Sequence, residues 1–369
     1  MEYHDHVLDY LKWRGNIAIS EDGFNEIDAM ICAELSYLNL DGLVPGVGEK
    51  SNVTISDVYD IYQKRINDNE PVDLQAHEVI FLLALGKSRR FGNVVLSDYM
   101  HVTDMSQPVL FGAICLHISP SLYYISFRGT DNDILGWKET FSMIYQMPIP
   151  SQKLAVDYLN RVVKGCFRKY YVGGHSKGGN LAKYAAAFCK AGIQRKIPAI
   201  YCFDAPGFNQ DMMQYEGFAR IVDRIRAYIP QGSVVGMTLE HAENSIMVHS
   251  QGEGIEQHDL LSWSMNAEGF LRYNQRERGS LQAQESIANW IAHLSFEERE
   301  RFLELFFDVV VKAGVTTFPE LMDMKLKTVL SILKEMKNVS AENKEFVFHV
   351  FKLLVQERGK AKKAKDVTD

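Results

Sequence analysis

Ser176 stands at the centre of Gly174-His175-Ser176-Lys177-Gly178, after the strand-like Lys169-Tyr170-Tyr171-Val172 and before the helix-like run Asn180 to Cys189. That is the setting of a nucleophile elbow, in which a serine sits at the tip of a strained strand-to-helix turn. Side chains two residues either side of such a serine would collide with neighbouring backbone, and glycine at 174 and 178 meets that need. The turn lifts the hydroxyl above the sheet and aims the first free N–H groups of the helix at an oxygen that turns negative when serine attacks a carbonyl. The chemistry this spacing predicts is acyl transfer.

A serine nucleophile needs a base, an acid to fix the tautomer of the base, and donors for the oxyanion. Where an elbow of this kind is used, the parts follow in chain order serine, carboxylate, histidine, so the search runs downstream of Ser176. His258, in the polar loop Gln257 to Trp263, is the chosen base; His241 and His249 compete with it. Asp204 ends the apolar run Ala199 to Phe203 and begins the turn Ala205-Pro206-Gly207. A carboxylate there lies at the sheet end where open α/β folds bind ligands. Glu240 and Asp223 are the alternatives, and Asp259 is too near His258 in sequence to orient it. The backbone N–H of Lys177 is one expected oxyanion donor. Thr130, in Phe127-Arg128-Gly129-Thr130-Asp131, supplies the second through its N–H or its hydroxyl. Arg128 reads as a structural ion-pair partner.

These residues need a scaffold. The first hundred residues hold helical candidates at about 25–37, 55–67 and 75–86, with turns at Asp41-Gly42 and Pro45-Gly46. Pro108 to Ile118 and Leu122 to Phe127 read as a hairpin about Ser119-Pro120-Ser121. Helix-like and strand-like segments then alternate: 136–146 and 153–164 helical, 169–172 strand, 179–190 helix, 199–203 and 225–229 strands, with another strand near 245–250. Alternation of this kind predicts an α/β fold, a mostly parallel sheet with helices on both faces. Beyond Ser280 the pattern is helical, at 281–294, 298–312, 326–336 and 343–355, and the lysine-rich tail from Arg358 is expected to fray. The expected division is a helical cover over 1–105, a core over 106–280 and a helical extension over 281–369, which reads as either a lid or a homodimer surface.

Composition excludes other classes. With 46% hydrophobic and 24% charged residues the chain is that of an ordinary globular protein. A net charge of −7 gives no electrostatic reason to expect nucleic acid or an anionic membrane as partner. The N-terminus is too polar for a signal peptide, and no stretch reaches the apolar length of a membrane span. Five scattered cysteines lack C-x-x-C spacing and read as buried thiols in a reducing cytoplasm. The eleven histidines form no metal-ligand cluster, and neither a metal nor another cofactor is expected.

Phe127-Arg128-Gly129-Thr130 followed by Trp137, and Gly174 to Ala182, resemble the two signature blocks of the class 3 (fungal-type) lipases, which are α/β-hydrolases. The likeness is closer still to a little-characterised bacterial branch in which a G-H-S-K-G-G-N-L-A elbow is followed by F-D-A-P-G-F, here Phe203 to Phe208, and it extends over roughly residues 25–265, including Leu35-Ser36-Tyr37. The resemblance implies an α/β-hydrolase-like fold and a serine hydrolase site with Ser176, with Thr130 and Lys177 at the oxyanion hole and His258 as base. Two departures stand out. Where class 3 lipases carry their aspartate, this chain has Ser233, so the acid must come from elsewhere; Asp204 would then resemble the arrangement of pancreatic-type lipases. Lys177 replaces the usual leucine and is expected to set a charge beside the nucleophile. The implied activity is cleavage of a carboxylic ester of a small-molecule or lipid-like substrate, as an esterase, lipase or thioesterase working through an acyl-serine. The alternative is a non-catalytic relative that binds or scaffolds.

Overall fold

A computed structural model of the chain describes residues 6–72, 74–104, 109–323 and 325–366. Seven strands form one sheet in which spatial order repeats chain order: β1 Val95–Asp104, β2 Val109–His117, β3 Leu122–Phe127, β4 Lys169–His175, β5 Ala199–Phe203, β6 Ile225–Pro230 and β7 Ser245–Val248. The first three strands are antiparallel neighbours and β3 to β7 are parallel. The fold is α/β-hydrolase-like, a mostly parallel sheet flanked by helices.

The sequential strand order has a consequence for the helices. Each parallel crossover steps the same way along the sheet, and right-handed crossovers that never reverse direction all fall on one face. α6 (Ile134–Ser142) and α7 (Pro150–Val162) join β3 to β4, and α8 (Lys177–Phe188) with α9 (Ala191–Gln194) joins β4 to β5. The short α10 (Gln210–Met213) and α11 (Glu216–Ala219) lead to β6. Side chains of α7, α8, α10 and α11 share one core with Ile125, Cys202 and Ala227. Their strand neighbours Tyr124, Phe203 and Tyr228 point the other way, as the two-residue period of a strand requires, into a core shared with the N-terminal helices. Those helices are α1 (Val7–Arg14), α2 (Ile19–Asp22), α3 (Glu26–Leu35), α4 (Ile55–Asn67) and α5 (Ala76–Gly86). The N-terminal cover, together with Trp263 and Phe270 from the segment after β7, closes the face the crossovers leave bare. Arg90 and Asp28, both fully buried, anchor it: Arg90 Nε donates to Asp28 Oδ1 at 2.7 Å and Tyr10 adds a hydroxyl at 3.2 Å.

After β7 the chain turns helical: α12 (Arg278–Ala292), α13 (Phe296–Lys312), α14 (Phe318–Met322), α15 (Leu326–Met336) and α16 (Ala341–Asp366). They enclose a third core with Ile134 of α6.

Three expectations change. β1 lies within the segment read as a helical cover, yet it pairs with β2 along most of its length, so the sheet begins before residue 105. Its polar residues Ser97, Asp98, His101 and Thr103 mask the strand pattern. The start of the expected hairpin at Pro108 lies outside the described residues, whereas its body, β2 and β3, pairs antiparallel as read. The tail does not fray at Arg358: α16 runs on to Asp366. Of the cysteines, Cys166 is exposed and the other four are buried.

Candidate active site

The elbow forms where β4 hands over to α8. Ser176 has φ 56° and ψ −129°, a left-handed conformation in a non-glycine residue, which costs about 1–3 kcal/mol and is characteristic of functional turns. Its N–H donates to Phe203 O at 2.9 Å, extending the β4–β5 ladder by one step. A Cβ at Gly178 would lie 2.1 Å from Phe127 O, and one at Gly174 would lie 2.5 Å from both Phe127 O and the Gly178 carbonyl carbon. Both flanking glycines are thus required by the close approach of β3 to the turn.

Asp204 is the residue after β5, level with Ser176 on the neighbouring strand, and it too has a positive φ, 44°. Its N–H bonds Tyr228 O at 2.8 Å. Its carboxylate, 1% exposed, receives three donors: His258 Nδ1 at 2.6 Å on Oδ2, and Ser233 Oγ at 2.5 Å with Gly236 N at 3.2 Å on Oδ1. A Cβ at Gly236 would sit 2.3 Å from that oxygen, so the loop after β6 closes on the carboxylate only because residue 236 is glycine. Ser233, at the place where class 3 lipases were expected to carry their acid, is instead a donor to Asp204.

The His258 loop is pinned from below. Gly232 N donates to Gln257 Oε1 at 2.7 Å, and the fully buried Trp263 donates its indole N–H to Gln257 O at 2.9 Å. With Nδ1–H directed at Asp204, the free Nε2 of His258 is the acceptor a base needs. The imidazole of His175 lies 4.5 Å from that of His258, centroid to centroid, and its Nε2 meets His258 O at 2.8 Å. His175 Nδ1 meets Tyr37 Oη at 3.1 Å. Burial, and after it the nearby His258, holds His175 well below the ordinary imidazole range. A neutral ring that donates from Nε2 accepts at Nδ1, so Tyr37 donates its hydroxyl there. The Tyr37 phenol also lies against Gly129, where a Cβ would be 2.0 Å from its oxygen. Tyr37 and His175 therefore connect the loop carrying Thr130 with the loop carrying His258, a bridge that sequence reasoning missed although both residues sit in recognised blocks.

The structure places Ser176, Asp204 and His258 at one edge of the sheet, and none of the competitors bonds any of the three among the described residues. His241 faces Glu243 Oε1 at 3.3 Å and Thr238 O at 3.3 Å, and His249 bonds Ser264 Oγ at 2.9 Å. Asp223 lies before β6, at the opposite end of the sheet, and Asp259 caps its own turn through Leu261 N at 2.9 Å. Glu240 is exposed and bridges to Phe208 through its backbone.

Lys177 begins α8, so its N–H has no partner within the helix, and among the described residues no other backbone group takes it. Its ammonium does not sit as a charge beside the nucleophile. Nζ is fully buried and donates to Leu110 O and Glu139 Oε2, both at 2.8 Å, while Ser151 Oγ donates to Glu139 Oε1 at 2.6 Å. Glu139, 38 residues upstream, was not singled out by any motif. Thr130 has its hydroxyl engaged: Thr140 donates to Gly136 O at 2.9 Å, so the 2.5 Å contact between the two threonines is Thr130 donating to Thr140. That leaves the N–H of Thr130, not its hydroxyl, as the donor without a backbone partner among the described residues. Arg128 pairs with Asp131 at 3.1 Å, as expected of a structural residue.

Two further residues of the elbow block, Asn180 and Gly179, hold the blocks together. Asn180 is fully buried and donates to Gly207 O at 2.8 Å, tying α8 to the turn after Asp204, and Gln152 donates to its Oδ1 at 2.8 Å. A Cβ at Gly179 would meet the Ala205 Cβ at 2.6 Å, so glycine there lets helix and turn close up. Nearby, burial alone would raise the Glu243 carboxyl, but the Lys183 ammonium at 2.6 Å outweighs it and holds the group far below the usual carboxylate range. The C-terminal helices dock beside Thr130: Phe318 N donates to Asn132 O at 2.8 Å, and Phe318 stacks on Trp137 with ring centroids 3.9 Å apart.

Among solved structures, that of M37 lipase is similar at a TM-score of 0.33 and 15% identity, over 58% of this chain and 70% of that one. No curated protein matches the sequence. Residues 85–308, which span the sheet from before β1 through α12 and most of α13, match the family described as Mbeg1-like. That span is more than half of the chain, and the protein belongs to the Mbeg1-like family.

Proposed function

We propose that the protein is a serine hydrolase that cleaves a carboxylic ester through an acyl-serine intermediate. The observation that carries this reading is the 2.6 Å bond from His258 Nδ1 to Asp204 Oδ2 at the strand end beside Ser176, because it fixes the tautomer in which Nε2 can accept a proton. In the proposed first step Ser176 Oγ attacks the ester carbonyl carbon while His258 Nε2 takes the hydroxyl proton. The developing oxyanion is met by the N–H groups of Lys177 and Thr130. Collapse breaks the bond to the leaving alcohol or thiol, which receives the proton from His258. Water, deprotonated by the same nitrogen, then attacks the acyl-serine, and the acid leaves with Ser176 restored. Asp204 stays ionised throughout and steadies the imidazolium.

The second reading, a hydrolase relative that binds without turnover, is favoured by one observation: Ser176 is only 3% exposed. A fluorophosphonate probe separates the two. Covalent labelling of the wild type that disappears in Ser176→Ala is the result expected of the enzyme. A folded wild type that is never labelled, at any probe concentration, favours the binding protein.

A further inference from the structure

The outer face of the C-terminal helices carries large apolar side chains in the open. On α15, Leu326, Leu330 and Leu333 are 74%, 57% and 54% exposed. On α16, Phe348, Phe351 and Val355 follow the same spacing and are also exposed. Separations of three, four and seven place each set along one stripe of its helix. Leu333, Phe348 and Phe351 together line an apolar groove of ≈ 540 Å³ that runs between α15, α16 and α13. The two stripes thus meet at this groove through Leu333, Phe348 and Phe351, and more apolar side chains are gathered here than scattered surface leucines would give.

The charges on α15 and α16 are predominantly positive. Residues 325–360 hold eight Lys and Arg against four Glu, in a chain whose net charge is −7. Lys327 and Lys334 lie one turn either side of Leu330, and Lys352 and Arg358 stand one turn beyond Phe348 and Val355. Lys327, Lys334, Lys337, Lys352 and Arg358 make no ion pair among the described residues. Two of the four acids are in ion pairs, Glu342 with Arg301 at 2.7 Å and Glu357 with Lys360 at 2.5 Å, so the unpaired cations outnumber the remaining Glu335 and Glu345. The sequence adds Lys362, Lys363 and Lys365 to the same helix.

We infer that this face is a docking surface for an anionic lipid bilayer. Apolar stripes bordered by lysine and arginine match the two layers of such a membrane, acyl chains beneath and phosphates above. A second copy joined through the same patch would set these cations against their own kind. A nucleic acid would answer the charge but leave the leucines and phenylalanines uncovered. The net charge of the whole chain gives no reason to expect such a membrane, and it is the placement of the charges that favours one; the contact is peripheral, since no helix among the described residues is long and apolar enough to cross a membrane.

The test is co-sedimentation of the full chain with vesicles of phosphatidylcholine containing a quarter phosphatidylglycerol, and with phosphatidylcholine alone. Binding to the anionic vesicles, weakened by salt and at least tenfold weaker on neutral ones, is expected. Leu330→Glu with Phe348→Glu should abolish it, and Lys327→Gln, Lys334→Gln and Lys337→Gln together should lower the partition coefficient by about a hundredfold, with circular dichroism unchanged in both. Ser176→Ala should bind like the wild type, which keeps this result independent of the proposed catalysis. The inference is overturned by absence of binding to anionic vesicles, by equal binding to neutral ones, or by a dimer in sedimentation velocity that Leu330→Glu dissolves while vesicles are ignored.

Discussion

Ser233 and His258 donate to opposite oxygens of one carboxylate, Asp204, at 2.5 and 2.6 Å. At the position where the resemblance led one to expect the acid of a class 3 lipase, this chain has a hydroxyl that donates to the Asp204 carboxylate. Asp204→Asn should lower the rate of fluorophosphonate labelling by about 10⁴-fold, since an amide favours the wrong imidazole tautomer. Ser233→Ala, which removes a single bond to a charged group, should cost about 1.5–3 kcal/mol, or roughly ten- to a hundredfold. A labelling rate in Asp204→Asn equal to wild type would remove Asp204 from the site.

Lys177→Leu restores the residue usual in class 3 lipases but leaves Glu139 buried and unpaired. Breaking a buried pair from one side costs about 3–5 kcal/mol, whereas replacing both partners with apolar residues is often neutral. Thermal unfolding should therefore show a large fall in Tm for the single variant and recovery in Lys177→Leu with Glu139→Met. Equal Tm values for the single and double variants would contradict this account.

Tyr37→Phe removes the donor to His175 Nδ1, leaving a buried acceptor unsatisfied at a cost of about 1–3 kcal/mol. Because His175 in turn holds the His258 backbone carbonyl at 2.8 Å, the variant should lose both stability and labelling rate. A drop in Tm alone would reduce the bridge to a packing contact.

Burial pushes the Glu34 carboxyl up to about 8, and the negative charges of Asp259 and Glu78 push it the same way. An unfolded glutamate titrates near 4.3. Between those values the folded chain holds a proton that the unfolded chain has released, so this residue's contribution is fully present below about 4.3 and is lost as pH rises towards about 8. Glu34→Gln should flatten that slope and raise Tm at pH 8.5 relative to wild type, with the two curves meeting near pH 4.5. Parallel curves across the range would argue against a raised Glu34.

The elbow and the loops of Asp204 and His258 were legible because each is a local pattern: glycines at fixed offsets, a carboxylate ending an apolar run, a histidine in a polar loop. The strands β2 to β7 were legible for the same reason. What stayed hidden depends on partners distant in sequence. Glu139 finds Lys177 across 38 residues, Tyr37 finds His175 across 138, and neither spacing carries a signal. β1 was concealed by its polar side chains, and the engagement of Thr130 by Thr140 follows from how α6 lies on its loop.

The one-way winding of the crossovers bears on how the molecule can be dissected. An excised fragment limited to the family span, residues 85–308, would lack α1 to α4 and nearly all of α5. Tyr124 would then lose the helices that cover it, and Phe203 and Tyr228 would keep only Trp263 and Phe270 from the segment after β7. Such a fragment is expected to self-associate, and expression trials of shortened forms should keep everything from α1 onward.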